Sequence, residues 1–134
     1  MSFTTSLLGE VLLLRYMLNA TSADNVKLHL YRNDYTPDVN TTIGNVTEAN
    51  NTGYAAATLI GTQWTVASVS GSTCASYANQ TFTWSTAEVV YGYYYTNNAS
   101  STLIWAERFA NAPMNISSGG GAITVSPQIC LSDC

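Results

Sequence analysis

The chain has 134 residues, of which 9% are charged, and a net charge of -4. That length makes one domain, spanning 1–134, large enough to bury roughly two-thirds of its unfolded surface without metal or disulfide support. Four basic residues against eight acidic ones leave no basic patch to neutralise a run of phosphates or anionic headgroups, so nucleic acid and membrane are poor partners.

The first expected element is an amphipathic helix over about residues 6–18, with Thr5 or Ser6 as N-cap, Glu10 near the positive end of the dipole and Asn19 suited to a left-handed C-cap. Leu7, Val11, Leu14 and Leu18 form one stripe, flanked by Leu8 and Leu12. Packing of that stripe on the protein's own sheet as core is the first expectation; docking on a neighbouring protein is the second. The segment carries Glu10 and Arg15, lacks a basic leader and is too short to cross a bilayer, so it reads as neither signal nor anchor. Thr21-Ser22-Ala23 is the one small-residue stretch suited to cleavage, and only cleavage there would make the chain a secreted, glycan-modified module. The seven Asn-x-Ser/Thr sequons are otherwise by-products of a polar, uncharged surface.

Residues 26–32 alternate cleanly, placing Val26, Leu28 and Leu30 on one face and Lys27, His29 and Tyr31 on the other. The expectation is a half-exposed strand with His29 on a solvent face and no catalytic role for it. Residues 33–53 form a polar segment without periodicity, long enough to imply binding or a crossing between sheets. Its Asp34, Asp38 and Glu48 match no calcium-loop spacing and read as solvated loop carboxylates.

From residue 54 onward short strands recur with turns between them, at about 55–60, 63–69, 77–85, 89–96, 102–109, 122–126 and 128–131. With the strand at 26–32 this makes about eight, and the cadence is that of an antiparallel β-sandwich, jelly-roll or immunoglobulin-like, with an N-terminal amphipathic helix. Trp64 with Val66, and Phe82 with Trp84, share a face within their strands. The run 89–109 reads as a hairpin around the polar connector 97–101, with Thr96 opposite Thr102. One face then carries Tyr91, Tyr93, Tyr95, Leu103, Trp105 and Glu107, and the other Gly92, Tyr94, Ile104, Ala106 and Arg108. Both faces are apolar, so both need cover: the second sheet over Gly92 and Ala106, the leucine helix or a neighbouring subunit over Tyr93 and Trp105. Glu107, beside Tyr91, reads as an interface hydrogen-bond acceptor, on the face opposite Arg108.

Of Cys74, Cys130 and Cys134 at most one bridge can form, and small buried hydrophobes are the expected reading. An extended step from Cys130 to Cys134 spans about 13 Å, beyond disulfide reach unless the chain turns. Neither the cysteines with distant His29 nor the scattered carboxylates make a metal site or an acid–base pair. No cofactor, metal or catalytic residue is expected, and the chain reads as a non-enzyme.

The order of segments carries a resemblance. A leucine-rich helix, VKLHLYRNDYTP, TEANNTGYAAATL, QTFTW, VYGYYYTNNASSTLIWAERF and a glycine turn leading to AITVSPQI together resemble small virion proteins of tailed bacteriophages, from about residue 7 to 129. The resemblance implies a β-sandwich structural protein, made in the bacterial cytoplasm, that decorates or cements the capsid exterior or sits in the tail. It implies the major capsid protein and further copies of itself as partners, in a symmetric oligomer for which a trimer is expected. The contact residues expected on this reading are Leu7, Leu8, Val11 and Leu12 in the helix, Tyr35, Thr36, Pro37 and Asp38 in the long segment, and Tyr93 and Trp105 in the hairpin. The alternative is a tail or fibre component binding host glycans through exposed Tyr91, Tyr93 and Trp105, which requires those rings to be open to solvent.

Overall fold

A computed structural model describes residues 4–132; Cys134 lies outside the described residues. A two-residue strand β1 (Thr4–Thr5) leads into helix α1 (Leu7–Met17). Ser6 caps the helix, its hydroxyl accepting from Gly9 N at 2.9 Å. The helix ends as expected at Asn19, with φ of 54° and a paired closure in which Ala20 N donates to Arg15 O and Asn19 N to Tyr16 O.

Eleven further strands follow: β2 (Val26–Tyr31), β3 (Ala57–Leu59), β4 (Thr65–Val69), β5 (Ser72–Ser76), β6 (Gln80–Trp84), β7 (Glu88–Val90), β8 (Gly92–Asn97), β9 (Leu103–Arg108), β10 (Met114–Ile116), β11 (Gly121–Val125) and β12 (Gln128–Ser132). All pairings are antiparallel. The main sheet runs β1-β9-β8-β2-β3, the pairs β10-β7 and β11-β6 stand apart from it, and a third group runs β12-β5-β4. Every expected strand is present. The expected strand at 89–96 is broken at Tyr91, so that β7 joins β10 while β8 joins the main sheet.

The architecture is a β-sandwich. Leu28, Leu30, Leu59, Tyr95, Ile104 and Trp105 of the main sheet pack against Phe82, Trp84, Val90, Ile116, Ile123 and Val125 of the two strand pairs. The group β12-β5-β4 leans on the same core through Trp64, Tyr77 and Ile129. On the opposite face of the main sheet, a second cluster of Tyr31, Tyr94, Leu103 and Ala106 is covered by Val46 and Tyr35 of the long segment. The expected covers are therefore exchanged: the second layer lies on the Tyr95 and Trp105 face, and the polar segment lies over Gly92 and Ala106. Gly92 does admit a large aromatic, since a Cβ there would sit 2.5 Å from Tyr31 Oη and 2.2 Å from Glu107 O.

The hairpin register also differs from expectation. Thr96 faces Leu103, Tyr95 faces Trp105, and Ile104 is the extra residue of a β-bulge. The bulge moves Leu103 onto the Tyr94 face and Ile104 onto the Trp105 face.

Cys74 and Cys130, directly opposed in β5 and β12, form a disulfide. This corrects their reading as small buried hydrophobes, because Cys130 is exposed and Cys74 half-buried on strands paired edge to edge. The bridge closes a loop of 56 residues, and chain-entropy arguments give its removal a cost of about 2–4 kcal/mol. Chemical denaturation of Cys74→Ser is expected to show that loss, and an unchanged midpoint would contradict the bridge. Gly92→Ala is expected to lower stability by about 1–3 kcal/mol through collision with the Glu107 backbone carbonyl and overpacking against Tyr31, measured in the same way.

Candidate functional site

Helix α1 meets its own sheet through a narrow strip. Gly9 is its one buried residue, and a Cβ there would lie 2.4 Å from Ile104 O, so the helix rests directly on the bulged backbone of β9. Ser6 fixes the seat, its N donating to Ile104 O at 3.0 Å and its hydroxyl to Leu103 O at 2.6 Å. Leu12 and Leu13 turn toward the core. The expected core stripe instead points outward: Leu7 is 52%, Val11 50%, Leu14 54% and Leu18 70% exposed. Packing of the stripe as core is overturned, because Gly9 permits the closest approach and so decides which face turns inward.

An apolar groove of about 360 Å³ runs beside the helix, lined by Leu13, Met17, Trp64, Val66, Ile129 and Leu131 with Trp105 at its side. Trp64 and Val66 share that face as their spacing predicts. Val66 and Leu131 are each more than two-thirds exposed. Sequence reading missed the groove as a unit, since its strands β4 and β12 pair with β5, whose STCAS run has no apolar alternation.

The other expected contact residues divide. Leu8 is exposed with Leu7 and Val11, whereas Leu12 is half-buried against the core. Thr36 and Asp38 are exposed, and Pro37 is half-buried. Tyr35 is used internally: it packs on the second cluster, its carbonyl accepts from Tyr31 Oη and Arg108, and its hydroxyl meets Thr41. Asp38 accepts from Asn40 N and Thr41 Oγ1 in a local turn. The helix and the segment do come together, through Leu7 N donating to Val39 O at 2.9 Å. Trp105 is 6% exposed, and Tyr93 is half-buried with its hydroxyl donating to Glu107 Oε2 at 2.5 Å. The glycan alternative required both rings to be open to solvent, whereas both serve the interior. Tyr91 is half-buried beneath Arg108, whose guanidinium lies 5.2 Å from the ring centre.

Polar side chains hold the long segment down. His29 is buried, a correction to its expected solvent face. It stacks on Tyr94 at 4.7 Å, donates from Nδ1 to Glu48 Oε1 at 2.7 Å, and places Nε2 2.9 Å from Thr96 Oγ1. Tyr54 Oη donates to the same Glu48 oxygen and accepts from Leu30 N. Glu48 is thus no free loop carboxylate, and Asp34 pairs with Arg108 at 2.6 Å. At the segment's end Asn50 N and Asn51 N donate to buried Glu88, which also accepts from Trp84 Nε1 at 2.7 Å. The Thr96–His29–Glu48 series has the order of a hydrolytic triad, but the Thr96 hydroxyl is fully buried and donates to Asn97 O, so its arrangement fastens the segment to the sheet. Glu107, expected at an interface, is buried; its Oε1 and Tyr95 Oη have no hydrogen-bond partner among the described residues.

Burial pushes the Tyr93 and Tyr54 phenols well above their ordinary range, reinforced by the carboxylates beside them, so both remain donors. For Glu48 burial acts upward, yet the hydrogen bonds from His29 and Tyr54 and the charges of His29 and Lys27 outweigh it and hold the carboxyl below its ordinary 4.5. No family model, curated protein sequence or solved structure matches the chain.

A depressed carboxylate contributes stability above its unfolded value and loses it as pH falls through the folded one. Stability is therefore expected to decline as pH drops below about 4.5, and Glu48→Gln to flatten that decline, read by denaturant midpoints at stepped pH. An identical acid slope in the variant would contradict the contact.

Proposed function

We propose that this chain is a virion structural protein that decorates or cements the exterior of a tailed-phage capsid, binding the major capsid protein and its own copies. The observation that carries the reading is the outward apolar face of α1 beside an apolar groove, on a domain whose described aromatic side chains are all buried or half-buried. Monomeric soluble proteins rarely leave such contiguous apolar surface uncovered. The order of segments adds the resemblance to phage virion proteins. Repeated attachment over a shell multiplies modest affinities, so a helix face and one groove per copy are enough.

Other features agree with this reading. The low charge leaves a surface suited to a protein held by neighbours, and a disulfide between β5 and β12 suits a particle surface in an oxidising medium. The protein is read as non-catalytic, its single histidine enclosed between Tyr94, Glu48 and Thr96. The glycan-binding reading loses its main support, because Trp105 is buried and Tyr93 is engaged with Glu107.

Incubating the purified chain with shells assembled without it, followed by sedimentation, is expected to give saturable binding. Leu8→Asp with Val66→Asp is expected to remove that binding while leaving the thermal midpoint within a few degrees, since both side chains are exposed. A wild-type chain that never sediments with shells contradicts the proposal.

A further inference from the structure

The outward stripe of α1 has a charge pattern that selects one kind of partner. Leu7, Val11, Leu14 and Leu18 recur at alternating steps of four and three, which is the spacing of a coiled-coil seam, with Leu7 and Leu14 at d and Val11 and Leu18 at a. Glu10 then occupies g and Arg15 the e position of the following heptad, one on each flank of the stripe. These two cannot reach each other on one helix, because residues five apart do not share a face. Neither forms an ion pair among the described residues. In a parallel pair of such helices, g of one copy lies beside the following e of the other, bringing Glu10 against Arg15. An antiparallel pair would instead set like charges on the same flank.

We infer that the outward face of α1 is the seam of a parallel, cyclically symmetric association of copies of this chain, with Glu10 of one copy paired to Arg15 of the next. The occupant of the stripe is thus a second copy. This deepens the self-association in the proposed function and does not depend on the capsid. A hollow of about 230 Å³ at the e flank, lined by Leu8, Val11, Leu12, Arg15 and Thr102, gives the incoming Glu10 side chain space beside the guanidinium. The back of the helix, at Gly9, Leu12 and Leu13, remains on its own sheet and clear of the seam. An 11-residue helix is short for a free coiled coil, but this one is already ordered by the Ser6 cap, the Gly9 seat and the closure at Asn19. Association therefore does not bear the entropy of forming it.

The test is sedimentation equilibrium of the full chain, with exchanged charges. The wild type is expected to associate into a closed dimer or trimer. Glu10→Arg and Arg15→Glu, each placing like charges across the seam, are expected to raise the dissociation constant roughly three- to tenfold. Combining them restores the pairs with reversed sign and is expected to return the constant to within about twofold of wild type. Leu14→Glu is expected to leave a folded monomer with an unchanged circular dichroism spectrum. A wild type that is monomeric at every concentration, or a double exchange no better than the single ones, overturns the inference. A chain that associates this way but ignores shells removes the capsid reading and leaves this one standing; a chain that binds shells as a monomer does the reverse.

Discussion

The contact on which the remaining surface depends is the seat of α1 on the bulge of β9. Ser6 joins the helix start to two successive carbonyls, Leu103 O through its hydroxyl and Ile104 O through its amide. Gly9, one turn later, lets the helix lie against the Ile104 backbone where any side chain would collide. These two small residues set the helix's rotation about its own axis. Once Gly9 faces inward, the four-residue stripe must face outward, and an apolar helix that would otherwise complete a core leaves its stripe exposed, as the proposed function requires.

The second constraint is the cover over the main sheet. A strand pair apolar on both faces needs two covers, and the chain supplies one of them from its least hydrophobic segment. Residues 33–53 contribute few apolar side chains, chiefly Tyr35 and Val46, and are held by Asp34 on Arg108, Glu48 on His29 and Tyr54, and Glu88 on two backbone amides. Burying such polar groups is tolerable because they are paired. The exposed ion pair at Arg108 adds little by itself; the enclosed hydrogen bonds of Glu88 and His29 carry more of the attachment. The arrangement leaves the outward face of α1 and its groove as exposed apolar surface.

Much of the fold was legible in local pattern. Alternation and the cadence of turns located most of the strands, though not β1, β5 or β10; Ser6 and Asn19 marked the helix ends, and the stripe on α1 was plain from its spacing. The direction of that stripe was not legible, because the residue that decides it is a glycine and carries no hydrophobic signal. Leu103 and Ile104 are equally apolar, so nothing local announced the bulge that exchanges their faces. Burial of His29 depended on Glu48 and Thr96, distant in sequence, and the Cys74–Cys130 pairing depended on β5, whose small polar residues do not alternate. Half of the proposed docking surface was therefore visible in the sequence, as the helix, while the groove beside it required the three-dimensional arrangement of β4, β5 and β12.

The central claim is that α1 presents its apolar face outward for a parallel partner helix, and one distance measures it most directly. A nitroxide attached at exposed Ala20→Cys, beyond the end of the stripe, in a Cys134→Ser background leaves the seam and the Cys74–Cys130 bridge in place, and pulsed dipolar spectroscopy then reads the separation between labels in associated copies. Parallel helices in register, with axes about 8–10 Å apart, predict a single narrow distribution at the short end of the accessible range. A label with no partner within range, or one whose partner lies far along an oppositely directed helix, would contradict the account.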